Sequence, residues 1–193
     1  MSGIVLAGGL GRRMGNLDKG LQLLHGKPMV QHVLERLAPQ VDEILINANQ
    51  NLDRYGALGY RVVSDEVGGF AGPLAGLHAG LKFVREPLVV TVPCDSPFLP
   101  MDLVARLRRH LGDDKDVAIA KTGDQVHPVF ALVRRSLAGS LEAYLAGGDR
   151  KVDRWFAALK MVEVSFDDEA DAFRNINTLE ELGEMGTDPI FRK

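Results

Sequence analysis

Short apolar runs at residues 3–7, 43–48, 60–63 and 88–94 alternate with segments whose apolar residues recur at helical spacing. That alternation constrains the fold more than any other feature of the chain. Val30, Val33, Leu34 and Leu37 mark a helical stripe over 28–37; the segment 74–84, after a Gly/Pro-rich loop, reads as a second helix and 100–111 as a third. Further strands are predicted at 117–120, 129–133 and 162–166, and from about Lys121 the less regular pattern reads as an addition to the same sheet. Strands separated by helices of this length favour a mostly parallel sheet covered on both faces. The predicted fold class is α/β: a three-layer α/β/α sandwich with a mostly parallel, Rossmann-like central sheet. Thr178-Leu179-Glu180-Glu181 matches the S/T-x-x-E capping box, so a last helix is expected to start there. A chain of 193 residues that is 46% apolar buries a sufficient core without covalent staples, and residues 1–193 are expected to form one domain.

Composition excludes several functions. A formal charge of -3 argues against a general nucleic-acid binder, which needs a basic surplus to hold phosphates. The longest apolar run, near 88–93, is far short of the roughly 20 residues that a membrane-spanning helix needs. A strand begins directly after Met1, without the basic start and cleavage site of an export signal, so a cytoplasmic location is expected. The single cysteine, Cys94, removes disulfides and multi-thiolate metal sites; inside an apolar strand it reads as a small core residue.

In open α/β sheets, ligands bind beyond the carboxyl ends of the strands. The first strand runs into Leu6-Ala7-Gly8-Gly9-Leu10-Gly11-Arg12-Arg13-Met14-Gly15; the next three end at Asn47, Asp65 and Asp95. Glycines 8, 9, 11 and 15 allow close backbone approach to a ligand, and Arg12, Arg13 and Lys19 bring positive charge, a combination suited to a triphosphate. It is not a Walker A loop, because Gly20 is followed by Leu21 and Lys19 stands on the wrong side; nor is it a dinucleotide fingerprint, because Met14 occupies the third glycine position. Asp95, between Pro93 and Pro97, is a suitable hard-oxygen ligand for Mg²⁺ bridging phosphates, against the alternative of a turn or helix-capping aspartate. Asp65 is open between a ligand contact and a solvated loop start.

Leu6-Ala7-Gly8-Gly9 with Arg13-Met14-Gly15, then Asp18-Lys19-Gly20 and Gly26-Lys27-Pro28, resembles the signature of nucleoside-triphosphate transferases of the sugar-nucleotide pyrophosphorylase superfamily. Asn47-Ala48-Asn49, Asp65, Gly72-Pro73-Leu74-Ala75-Gly76, Pro93-Cys94-Asp95-Ser96-Pro97, His127-Pro128 and Asn175-Ile176-Asn177-Thr178 extend the likeness. Together they resemble the molybdenum cofactor guanylyltransferase (MobA) family from Ile4 to about Leu182. The resemblance implies that Leu6, Ala7, Gly8 and Gly9, with Lys19, Asn47, Asp65 and Asp95, bind GTP, and that Asp95 also holds Mg²⁺, the implied cofactor. Lys19, Asp95 and Arg13 are the catalytic candidates. The superfamily often has a second carboxylate near the C-terminus, where this chain has Asn175 and Asn177. Those two are the acceptor-side candidates, against the alternative of helix-entry turn residues. His127 is open between a pterin contact and a structural hydrogen bond, and Arg150, beside Lys151, between an acceptor contact and an exposed basic turn.

The implied reaction transfers GMP from GTP to the terminal phosphate of molybdenum-molybdopterin, the N-terminal half binding nucleotide and the C-terminal half the acceptor. Other cofactor-biosynthesis proteins and recipient molybdoenzymes are further expected partners, for a monomer or weak oligomer. Two alternatives stand beside it. One is a related enzyme, a molybdenum cofactor cytidylyltransferase or a sugar-1-phosphate nucleotidyltransferase. The other is a non-catalytic, nucleotide-binding regulatory module.

Overall fold

A computed structural model describes residues 1–9, 17–66 and 72–187, without the side chains of 185–187. Seven strands form one sheet: β1 (Ser2–Leu6), β4 (Glu43–Asn47), β5 (Arg61–Val63), β6 (Leu88–Pro93), β7 (Val117–Thr122), β8 (Gln125–Arg134) and β9 (Met161–Ser165). A separate ribbon pairs β2 (Leu23–Leu24) with β3 (Lys27–Pro28). The helices are α1 (Met29–Leu37), α2 (Leu52–Gly56), α3 (Pro73–Phe83), α4 (Leu103–His110), α5 (Ala138–Ala146), α6 (Val152–Ala157) and α7 (Leu179–Thr187). None among the described residues is long and apolar enough to cross a membrane.

The sheet order is β5-β4-β1-β6-β8-β7-β9, with only β8 running against its neighbours. The mostly parallel α/β architecture expected from the alternation is therefore present. Burial along β1 shows why both faces are covered. Val5 packs into the layer with α1 and α4, Ile4 into the layer with α3 and α5, and both are fully buried. A strand covered on both sides reads as a continuous apolar run, as this one does.

From β1 the chain steps outward to β4 and β5, then returns to place β6 on the other side of β1. The switch point thus falls between β1 and β6, where Leu6 pairs with Pro93. Their loops leave in register: Cys94 N donates to Leu6 O, Ala7 N to Asn47 O and Ala48 N to Val63 O. One rim consequently carries Gly8, Asn47, Asp65 and Asp95. The C-terminal segment reaches the same rim because Ile176 is fully buried with Leu24 and Met29.

The last helix, α7, starts where the capping box places it, whereas α5 and α6 were not apparent in the sequence. The short helices α5 and α6 supply Leu141, Leu145, Trp155 and Phe156 to one face of the sheet. Strands β7 and β8 form a hairpin with a two-residue turn, Gly123 at φ +52. A first turn residue at positive φ matches the right-handed strand twist and suits glycine. Ile119 pairs with Ala131 but Ala120 with His127, so residues 128–130 bulge out of β8. Pro128 has no N–H to give the ladder, which accounts for the break; pairing with β7 on both sides of it makes β8, at Gln125–Arg134, longer than the expected 129–133.

Candidate active site

Asp95 stands two residues past β6, after Cys94, is 7% exposed, and is met by the Lys19 ammonium at 3.2 Å. Burial pushes its carboxyl above the ordinary value, and Lys19 pulls the other way. Lys19 also donates to Asn177 Oδ1 at 2.7 Å, bringing together residues 158 positions apart. Ile176 N donates to Asp95 O at 2.9 Å and Ser96 Oγ to Asn175 Oδ1 at 2.7 Å. Residues 175 and 177 therefore flank the strand end while Ile176 anchors in the core, as alternation in an extended segment predicts.

A second cluster lies at the ends of β4 and β5. Asn47 Nδ2 and Asn49 Nδ2 donate to the two oxygens of Asp65 at 2.9 and 2.8 Å, and Asp65 N donates to Asn49 Oδ1. Asn49 also donates to Gly8 O at 3.3 Å, tying the cluster to the first loop. A methyl on Gly8 would stand 2.8 Å from Asn49 Nδ2 and 3.1 Å from Asn47 Oδ1. Gly8 is thus required first by the protein's own amides. Sequence reading passed over Asn49 as a site residue, although its spacing from Asn47 put it on the same side of the strand end.

Beyond Asn175 and Asn177 opens a cavity of about 450 Å³, whose walls include Thr122, His127, Phe130 and Phe173. His127 lies just before the β8 bulge, stacks on Phe173 at 4.8 Å between ring centres, and shares a 2.7 Å hydrogen bond with Thr122 Oγ1. Burial lowers its pKa, favouring the neutral ring. Arg150 is placed elsewhere: its guanidinium donates to Leu145 O and Asp149 O at the end of α5, and it does not line this cavity. The other side of Lys19 is braced by Asp18, which accepts from the buried Tyr55 hydroxyl at 2.5 Å and from Asn51 Nδ2 at 3.0 Å. Tyr55, on the unforeseen helix α2, gave no chemical signal in the sequence, and Asp18 stood there only within the Asp18-Lys19-Gly20 motif, with no role of its own. Cys94 is buried, and its thiol pKa is pushed well up. Arg13 lies outside the described residues.

A family model described as the MobA-like NTP transferase domain matches residues 3–164. The chain belongs to the MobA-like NTP transferase family. This MobA-like chain is 53% identical over 188 residues to a molybdenum cofactor guanylyltransferase of Cupriavidus necator, covering 94% of each chain. It is 49% identical over 186 residues to that of Shewanella putrefaciens, covering 96% of this chain and 95% of the relative. Among solved structures, molybdopterin-guanine dinucleotide biosynthesis protein A from Archaeoglobus fulgidus superposes with a TM-score of 0.79 at 28% identity, over 95% of this chain and 96% of that one.

Proposed function

We propose that this MobA-like chain transfers GMP from GTP to the terminal phosphate of molybdenum-molybdopterin, giving molybdopterin guanine dinucleotide and pyrophosphate. The observation that carries the reading is the Lys19 ammonium held between Asp95, at the end of β6, and Asn177, on the C-terminal segment. A cation there joins a nucleotide-binding rim to the wall of a separate cavity, as a two-substrate transfer requires. Relatives that match over nearly their whole length are named for this guanylyl transfer.

An oxygen of the acceptor phosphate forms a bond to the α-phosphorus of GTP while the bond to the bridging oxygen breaks, its electron pair leaving with pyrophosphate. A phosphate monoester has a second pKa of about 6, so the nucleophile is ionised at neutral pH without a general base. The protein's task is positioning and charge stabilisation. Lys19 offsets negative charge on the triphosphate, and the cluster of Asn47, Asn49 and Asp65 presents donors and acceptors to the nucleoside. Leu6, Ala7, Gly8 and Gly9 give the nucleotide close backbone approach. His127, Asn175 and Asn177 take the pterin side, where the neutral imidazole offers a hydrogen bond and a stacking face.

Asp95 fits a Mg²⁺ ligand. It is the buried carboxylate at the strand end, and Lys19 occupies only its Oδ2. Mg²⁺ commonly takes one or two carboxylates and completes its shell with phosphates and water, so one protein carboxylate suffices. When bound, the metal supplies Lewis-acid stabilisation of the phosphates. The enzyme is read as cytoplasmic. Pyrophosphate release from GTP, molybdenum-molybdopterin and Mg²⁺ tests the proposal; release with CTP instead, or none without added partners, overturns it.

A further inference from the structure

The capping box at α7 is displaced toward the active site. In the usual arrangement the acidic residue of the box reaches back to the N–H of the capping residue. Here Glu181 N donates to Thr178 Oγ1 at 3.1 Å, and the return bond from Thr178 N to Glu181 Oε2 measures 3.3 Å. The shorter bond, 2.6 Å, goes one residue further out, from Asn177 N to the same oxygen. Asn177 is the residue whose amide oxygen receives the Lys19 ammonium at 2.7 Å. Its neighbour Ile176 gives its N–H to Asp95 O at 2.9 Å. The segment 176–177 is therefore pinned by one backbone bond to the end of β6 and by another to a helix side chain.

We propose that Glu181 is a positioning residue for the transfer reaction. Through the N–H of Asn177 it fixes the acceptor-side amide, and through that amide the place of Lys19 between the two substrates. The inference rests on the function proposed above. Glu181 also lies near enough to Asp95 to oppose its ionisation, so a role of pure charge is the competing account. The two accounts part at glutamine, which keeps an acceptor oxygen for the two N–H groups and loses the charge.

The test compares Glu181→Ala, Glu181→Gln and Thr178→Ala in the full chain. It measures kcat/KM for molybdenum-molybdopterin with GTP, the Kd for GTP, and Tm. Glu181→Ala is expected to lower kcat/KM for the acceptor about tenfold or more, since small misplacements of a reacting geometry cost up to about a hundredfold. The Kd for GTP should stay within about twofold, because the nucleoside cluster and Lys19 itself remain. Glu181→Gln should recover most of the loss. Thr178→Ala removes the helix cap but leaves Glu181 on the Asn177 N–H, so its Tm should fall while its acceptor kcat/KM stays near wild type. In an Asn177→Ala background, Glu181→Ala should add little, since residues that act through one another are not additive.

Glutamine performing as poorly as alanine would overturn the proposal in favour of charge. Equal acceptor losses in Glu181→Ala and Thr178→Ala would reduce Glu181 to a helix cap. If Glu181→Ala does not fold, Glu181→Asp, one methylene shorter, carries the same comparison. Absence of pyrophosphate from the wild-type protein is a different result: it removes the proposed reaction. The positioning role is then read from amide hydrogen exchange at Ile176 and Asn177. Faster exchange in Glu181→Ala but not in Glu181→Gln supports it, and unchanged exchange overturns it.

Discussion

Gly76 on α3 lies against Asn47 so closely that a methyl group on it would stand 2.3 Å from Asn47 Oδ1. A second helix glycine, Gly80, meets Ile4 in the same way, at 2.2 Å. The pair lets α3 settle onto the sheet and leaves the Asn47 amide free to turn toward Asp65. Gly76→Ala should therefore weaken GTP binding about tenfold or more and lower Tm. Overpacking costs about 1–3 kcal/mol, more than the roughly 1 kcal/mol by which alanine favours a helix over glycine. Gly139, on α5 with no atom within 4 Å of an added methyl, is the control. There alanine should raise Tm slightly; thermal melts and nucleotide titration read both.

Asp95→Ala and Asp95→Asn should both lose turnover by about a hundredfold or more, the scale of removing one group that stabilises transition-state charge. Their stabilities should not follow. Burial raises the Asp95 pKa in the folded state. Between its ordinary value and the raised one, the folded protein thus binds more protons than the unfolded chain. Stability from this group falls as pH rises through that window, and the deficit persists at neutral pH. Asp95→Asn should accordingly match or exceed the wild type in Tm at pH 7 without Mg²⁺, with the difference shrinking below about pH 4. A neutral-pH Tm well below wild type would contradict this.

Lys19→Ala should slow transfer and weaken GTP while leaving affinity for the molybdopterin substrate mostly intact. Asn175→Ala and Asn177→Ala should do the reverse. Titrations of each variant with each substrate separate the two sides. Both groups losing affinity for the same substrate would collapse the two-sided site.

GTP should be used well and CTP poorly, and Gly8→Ala should lower both the rate and the preference. Guanine offers N1–H and 2-amino donors beside an O6 acceptor, and a site built for them leaves buried groups unpaired with cytosine, at about 1–3 kcal/mol per group. The first contact of an alanine at 8 would be with Asn49 and Asn47, so the substitution acts by displacing the amides around Asp65. Transfer rates at equal GTP and CTP concentrations give the ratio. CTP equal or better would overturn the guanine assignment.

The strand-to-helix alternation, the glycines after β1 and the polar residues at the ends of β4, β5 and β6 were legible because they depend on local patterns. Apolar runs, turn chemistry and the capping box of Thr178 and Glu181 act over a few residues, and their spacing survives in one dimension. Short elements were not legible. Helices α2 and α6 have only Leu52–Gly56 and Val152–Ala157, and α5, though as long as α1, buries only Leu141 and Leu145, so tertiary packing carries all three, through Tyr55, Leu141, Leu145, Trp155 and Phe156. The choice among roles was also beyond local pattern. Arg150 and His127 were both polar residues beside a turn or a proline, yet Arg150 closes the end of α5 while His127 stacks in the cavity. Lys19 meets Asn177 across 158 positions only because buried Ile176 carries the C-terminal segment back to β6. The sequence determined which residues stand at strand ends; packing of distant segments decided which of them touch, since that depends on burial summed over the whole core.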